Sequence, residues 1–83
     1  MPDPDQRQAD AVPIVAETAG TLWKIIAAPG AAQARDATLV IIESMKMEIP
    51  VEAPADGYVV EYRVTEGELV EEGQVLAFYI PAD

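Results

Sequence analysis

The chain has 83 residues, enough for one small domain and too few for a deep catalytic cleft. Cysteine and histidine are both absent, which removes disulfides, thiolate nucleophiles, the commonest metal ligand and the usual general base near neutral pH. The net charge of −10 repels phosphate backbones, so nucleic acid is not an expected partner, and no apolar run is long enough to span a membrane as a helix.

Residues 1–11 are polar, with two prolines and three aspartates, and read as a disordered N-terminal tail. The tail lacks the basic start and apolar stretch of a secretion signal and is too acidic for a mitochondrial presequence, so the cytoplasm is the expected compartment. From Val12 onward short apolar runs are separated by Gly, Pro and Asp, which is the texture of an all-β domain. Strands are expected at 12–16, 20–27, 38–43, 48–52, 57–64 and 75–80, within one domain over 12–81. In 57–64, Tyr58, Val60, Tyr62 and Val64 alternate with Val59, Glu61 and Arg63, a period of two. The stretch 31–37 tolerates helix but is too short to stand as one. Core candidates are Leu39, Ile41, Val59, Val64, Leu69, Val75 and Leu76. Trp23 is expected to be partly exposed. Glu66, Glu68, Glu71 and Glu72 read as a solvated turn rather than a metal site, because Gly67 and Gly73 interrupt them. Gly57, Gly67 and Gly73 read as positions of unusual backbone geometry.

An internal repeat organises these segments. A shift of 37 residues places Ala16 on Ala53, Gly20 on Gly57, Gly30 on Gly67 and Leu39 on Leu76. Apolar positions coincide as well: Val12 on Ile49, Leu22 on Val59, Ala27 on Val64 and Ile41 on Phe78. The same shift sets Asp36 where the second half has Gly73. Two similar halves, 12–43 and 49–80, therefore share one core, and 44–48 is their junction. A junction should be an exposed turn. Ser44-Met45-Lys46-Met47 nevertheless lacks the Gly, Asn or Asp of a tight hairpin. Such a mismatch between local chemistry and expected structure marks a functional site. Lys46 is one of two lysines in the chain and stands between two large apolar side chains. As a lone tripeptide, Met-Lys-Met is better read as a solvated lysine with methionines on the core edge. Its place on the repeat junction shifts the balance towards an amine presented to another protein.

Glu43-Ser44-Met45-Lys46-Met47-Glu48 resembles the attachment motif of biotin carrier domains. The resemblance covers roughly residues 12–80 and includes Ala53-Pro54-Ala55-Asp56-Gly57 and the stretch from Val64 to Gln74. The related lipoyl domains share the fold but usually carry Asp-Lys-Ala at the modified lysine, so the methionines favour biotin. The resemblance implies a flattened β-barrel or sandwich of two four-stranded antiparallel sheets with quasi-two-fold internal symmetry. It implies covalent biotin on Lys46, attached by a biotin protein ligase that reads Met45, Met47 and Glu43. It further implies a non-catalytic subunit that moves a carboxyl group between the biotin carboxylase and the carboxyltransferase of a biotin-dependent carboxylase. An amine in water is protonated at neutral pH, and this chain has no base to remove the proton, so the ligase must do so. The chain departs from many relatives at Ala16-Glu17-Thr18-Ala19-Gly20, where proline is common, and at Trp23, where small aliphatics are common. The short 28–37 loop leaves no room for the protruding thumb of some bacterial carriers. The competing readings are a lipoyl carrier of a dehydrogenase complex and an unmodified interaction module.

Overall fold

The computed structural model describes residues 11–82, so the tail expected over 1–11 lies outside the described residues except for Ala11. Seven strands form: β1 (Val12–Val15), β2 (Gly20–Ile25), β3 (Thr38–Ser44), β4 (Met47–Glu52), β5 (Gly57–Tyr62), β6 (Leu69–Val70) and β7 (Val75–Pro81). All pairings are antiparallel. One sheet runs β1-β7-β5 and the other β4-β3-β2-β6. The expected all-β, two-sheet sandwich therefore forms, as do the expected strands within a residue or two at most ends. The exception is β6, which the sequence reading absorbed into a turn.

The repeat is written into the pairing itself. Shifting by 37 residues carries β1 onto β4, β2 onto β5 and β3 onto β7. Gly20 pairs with Val70 at β6, and the equivalent pair is an isolated bridge between Gln33 and Gly57. The fourth strand of the first sheet is thus reduced to that single bridge. The reason is composition: Pro29, Gly30 and a run of alanines are poor strand formers, whereas Leu69-Val70 favour extension. The bulges repeat too. Register shifts between Leu22 and Lys24 in β2 and between Val59 and Glu61 in β5, leaving Trp23 and Val60 as the extra residues. Among the described residues no ladder joins β1 to β4, so the sandwich stays open there. Each of these edge strands carries a proline, Pro13 and Pro50, at equivalent positions. Proline has no N–H to offer a further strand, which blunts the edge.

The core is built from symmetric partners: Ala16 with Ala53, Leu22 with Val59, Ala27 with Val64, Leu39 with Leu76, Val40 with Ala77, and Ile42 with Tyr79. Burying each large member contributes about 1.5–3 kcal/mol relative to exposure. Ile41 and Val75 are half-buried rather than central. Leu69 does not belong to the core at all, being 77% exposed, and its neighbour Val70 is buried instead. Side chains alternate faces along a strand, and β6 turns Val70 inward, which sends Leu69 out beside Thr21.

The acidic turn also has a structural part to play. Glu66 Oε2 accepts from the Ile25 N–H at 2.8 Å, and Glu68 Oε1 accepts from the Thr65 N–H at 3.1 Å. These carboxylates tie a loop to β2 and close a turn, while remaining exposed. Among the described residues no group of three acids could hold a metal ion.

One pole of the molecule gathers the start of β3 and the end of β7. The Ala53 N–H donates to the Ala37 carbonyl at 2.8 Å, and the Ala82 N–H donates to the Asp56 carbonyl at 2.6 Å. The segment 53–57 therefore lies against both. Since β3 runs on for seven residues from that pole, its far end, and the turn that follows, sit at the opposite pole.

Candidate functional site

The turn at that opposite pole is a two-residue hairpin. Strands β3 and β4 pair Ile42 with Ile49, Glu43 with Glu48 and Ser44 with Met47, leaving Met45 and Lys46 as the loop. Both loop residues have positive φ, 51° at Met45 and 67° at Lys46. This is the backbone of a type I′ turn, whose hand matches the twist of the flanking strands. Asn-Gly is the usual occupant, because a side chain in the left-handed region costs roughly 1–2 kcal/mol. Two such residues in succession persist only because the strands below dictate the register. Ile42 is fully buried and anchors β3, while Ile49 and Val51 of β4 are half-buried. A slip of one residue would turn these side chains towards water.

Gly20 secures the base of the hairpin. A Cβ there would meet the Glu43 carbonyl oxygen and the Ile42 Cγ2 at 2.8 Å, so only glycine lets β2 cross so close to β3. The repeat had paired Gly20 with Gly57, yet it did not reveal that Gly20 supports the site.

Around Lys46 the tip is open. Lys46 is exposed, Met45 is 92% exposed and Met47 is 64% exposed. The sequence-based expectation of an exposed lysine flanked by exposed methionines therefore holds in geometry. Glu43 is exposed as well, one strand position below the turn. Directly opposite lies Glu48, also exposed. Like charges placed across a ladder repel each other. Among the described residues the salt bridge that forms is remote from the tip, between Arg63 and Glu61 at 3.8 Å. The tip thus combines a strained backbone, an unpaired acidic couple and two solvated thioethers around one amine. Together they leave one amine exposed between two thioethers at the end of the sandwich.

Comparison with known proteins supplies the family. A biotin/lipoyl family model described as "Biotin-requiring enzyme" matches residues 10–78. The chain belongs to the biotin/lipoyl attachment family. The attachment domain is 43% identical to the Biotin/lipoyl attachment protein of Bacillus subtilis over 60 residues, which is 72% of this chain and 82% of that one. It superimposes on part of a single-chain, multi-domain long-chain acyl-CoA carboxylase with a TM-score of 0.83 and 29% identity. That match covers the whole attachment domain but 8% of the carboxylase chain. The lipoyl domain of the 2-oxoglutarate dehydrogenase complex of Azotobacter vinelandii is also similar, with a TM-score of 0.68 and 32% identity over 87% of this chain and 94% of that one. Domains of this family carry a group rather than catalyse its reaction. Among the described residues of the attachment domain, no helix is long and apolar enough to cross a membrane.

Proposed function

We propose that this chain is a biotin carboxyl carrier, with biotin joined through an amide to the Nζ of Lys46. The hairpin tip carries the reading. It sets one amine at the far pole of a rigid sandwich, in a strained turn between two exposed thioethers. The residues fit the group, because an unbranched side chain on an open tip can enter a ligase site and afterwards leave its cargo free to move. Met45, Met47 and Glu43 are the residues a biotin protein ligase would read. When bound, biotin supplies a ring nitrogen that accepts a carboxyl group and gives it up again. The protein's own contribution is mechanical. The strands hold the tether point, and the flexible lysine arm gives the cargo reach and a high effective concentration at each site it visits.

The partners on this reading are a biotin protein ligase and the biotin carboxylase and carboxyltransferase parts of a biotin-dependent carboxylase, in the cytoplasm. Similarity to a multi-domain acyl-CoA carboxylase supports that assignment. Neither nucleic acid nor a membrane is a proposed partner. The test is intact-protein mass spectrometry after incubation with ligase, biotin and ATP. The expected result is a gain of one biotinyl group, mapped to Lys46, that Lys46→Arg abolishes while the melting curve is unchanged. No gain with an active cognate ligase would overturn the reading. Similarity to a lipoyl domain supports a second reading, which a lipoyl adduct on Lys46 would establish instead.

A further inference from the structure

Sulfur is scarce in this protein and unevenly placed. The chain has three methionines and no cysteine. Two of the three methionines, Met45 and Met47, flank Lys46, with exposures of 92% and 64%. Neither belongs to the hydrophobic core. A soft oxidant therefore meets no competing thiol and finds two open thioethers at the tip.

We propose that Met45 and Met47 form a reversible oxidation site that controls recognition of Lys46. The oxidant is a peroxide. Each sulfur takes one oxygen atom from hydrogen peroxide: the O–O bond breaks, an S=O bond forms and water leaves. The sulfur is oxidised by two electrons and the peroxide is reduced by two. The product is methionine sulfoxide, which is polar and chiral where the thioether was apolar and adaptable. A partner pocket shaped for a thioether then faces an oxygen that it must either bond or leave unsatisfied. The fold does not feel the change. The turn dihedrals are held by the β3–β4 register, and the oxidised atoms stand in water. The site thus separates loss of recognition from loss of structure, which oxidation of a buried methionine could not do.

The proposal rests on the reading that a ligase docks on this tip, and the experiment keeps the two apart. The unmodified chain is treated with dilute hydrogen peroxide and peptide-mapped. Treated and untreated samples are then incubated with biotin protein ligase, biotin and ATP, and the rate of mass gain is followed. One added oxygen is expected at each of Met45 and Met47, with an unchanged melting curve. The modification rate should fall roughly tenfold or more, the cost of one unsatisfied polar group at an interface. Methionine sulfoxide reductases A and B together should restore it, since each repairs one epimer. Equal rates for oxidised and untreated chain would overturn the proposal, as would a loss that repair does not reverse. Failure of the untreated chain to gain biotin would remove the functional reading, and this proposal with it.

Discussion

Residues 12–43 and 49–80 follow the same path, yet they fill it with different chemistry. Where the first half has Ile25 and Ile42, the second has Tyr62 and Tyr79. Each tyrosine does what an isoleucine cannot. Tyr62 donates its hydroxyl to the Ala27 carbonyl at 2.6 Å, and Tyr79 donates to the Ala55 carbonyl at 2.6 Å. The tyrosines therefore bond loop carbonyls, for which isoleucine has no donor. At two backbone positions the halves agree: Gly20 matches Gly57 and Gly30 matches Gly67. The contrast separates two kinds of constraint. A close backbone crossing dictates glycine, so the halves agree at Gly20 and Gly57. Side-chain volume can be filled in several ways, so the halves diverge.

The largest test of that distinction is at Gly57. A Cβ there would strike the Ile80 carbonyl oxygen, and it would also meet the Pro81 Cα and the Tyr79 ring at 2.9 Å. Two of these three obstacles are backbone and cannot rotate away. Gly57→Ala is expected to cost about 3 kcal/mol or more, at the upper end of overpacking effects. In a domain of this size that lowers the melting temperature by more than ~10 °C, readable by calorimetry. Gly20→Ala should behave alike, because its Cβ would meet Glu43 and Ile42 in the equivalent crossing. A variant at either position that melts like the wild type would break the claim that the crossings dictate glycine.

The tyrosines give a middle-sized effect that depends on pH. Burial pushes the Tyr62 hydroxyl up to about 12 from its ordinary 10. Burial also raises Tyr79, and the Asp56 carboxylate adds to the shift. Both hydroxyls hold their protons more tightly folded than unfolded. Their contribution to stability is therefore complete below pH ~10 and is lost as the pH climbs from there through the folded values. Tyr62→Phe should cost about 1 kcal/mol at pH 7 by removing a hydrogen bond. Above pH ~10 it should lose stability less steeply than the wild type. Denaturant melts across pH 8–12 would show the two curves converging. Parallel curves would mean that the Tyr62 hydroxyl does not titrate against the fold.

How much of this could be read from residues alone follows the same division. The candidate site could be singled out because it is contiguous: Glu43, Met45, Lys46 and Met47 lie within five positions, and the repeat sets them at a junction. The two-sheet fold was legible because glycines recur in both halves. What stayed hidden is non-local or very short. Strand β6 is two residues long, below the length at which alternation can be recognised, and so Leu69 was assigned to the core when Val70 holds that place. The hydrogen bonds of Tyr62 and Tyr79 join residues 35 and 24 positions apart, which no local pattern records. Glu66 looked like one more solvated acid, and only the folded chain brings it to the Ile25 N–H.

Effects of the same size or smaller concern the left-handed residues, and they sharpen the comparison most. Asp36 has φ 71°, and its counterpart Gly73 has φ 84°. Met45 and Lys46 share that region, and under the proposed function their side chains are what a ligase reads. Met45→Asn keeps a turn-compatible residue and relieves part of the strain, so stability should rise by about 1 kcal/mol. Modification by ligase should slow, because a thioether has been removed. Asp36→Gly should change stability by no more than about 0.5 kcal/mol. Aspartate already tolerates the left-handed region, and the extra freedom of glycine in the unfolded chain offsets what little strain is relieved. Asp36 also lies at the pole away from Lys46, beside Ala53, whose carbonyl accepts its N–H at 2.9 Å. Ligase modification of Asp36→Gly should therefore match the wild type. The paired measurement separates strain retained for recognition from strain that is incidental. If Met45→Asn gained no stability, or Asp36→Gly slowed modification, positive φ would not be what sets the tip apart.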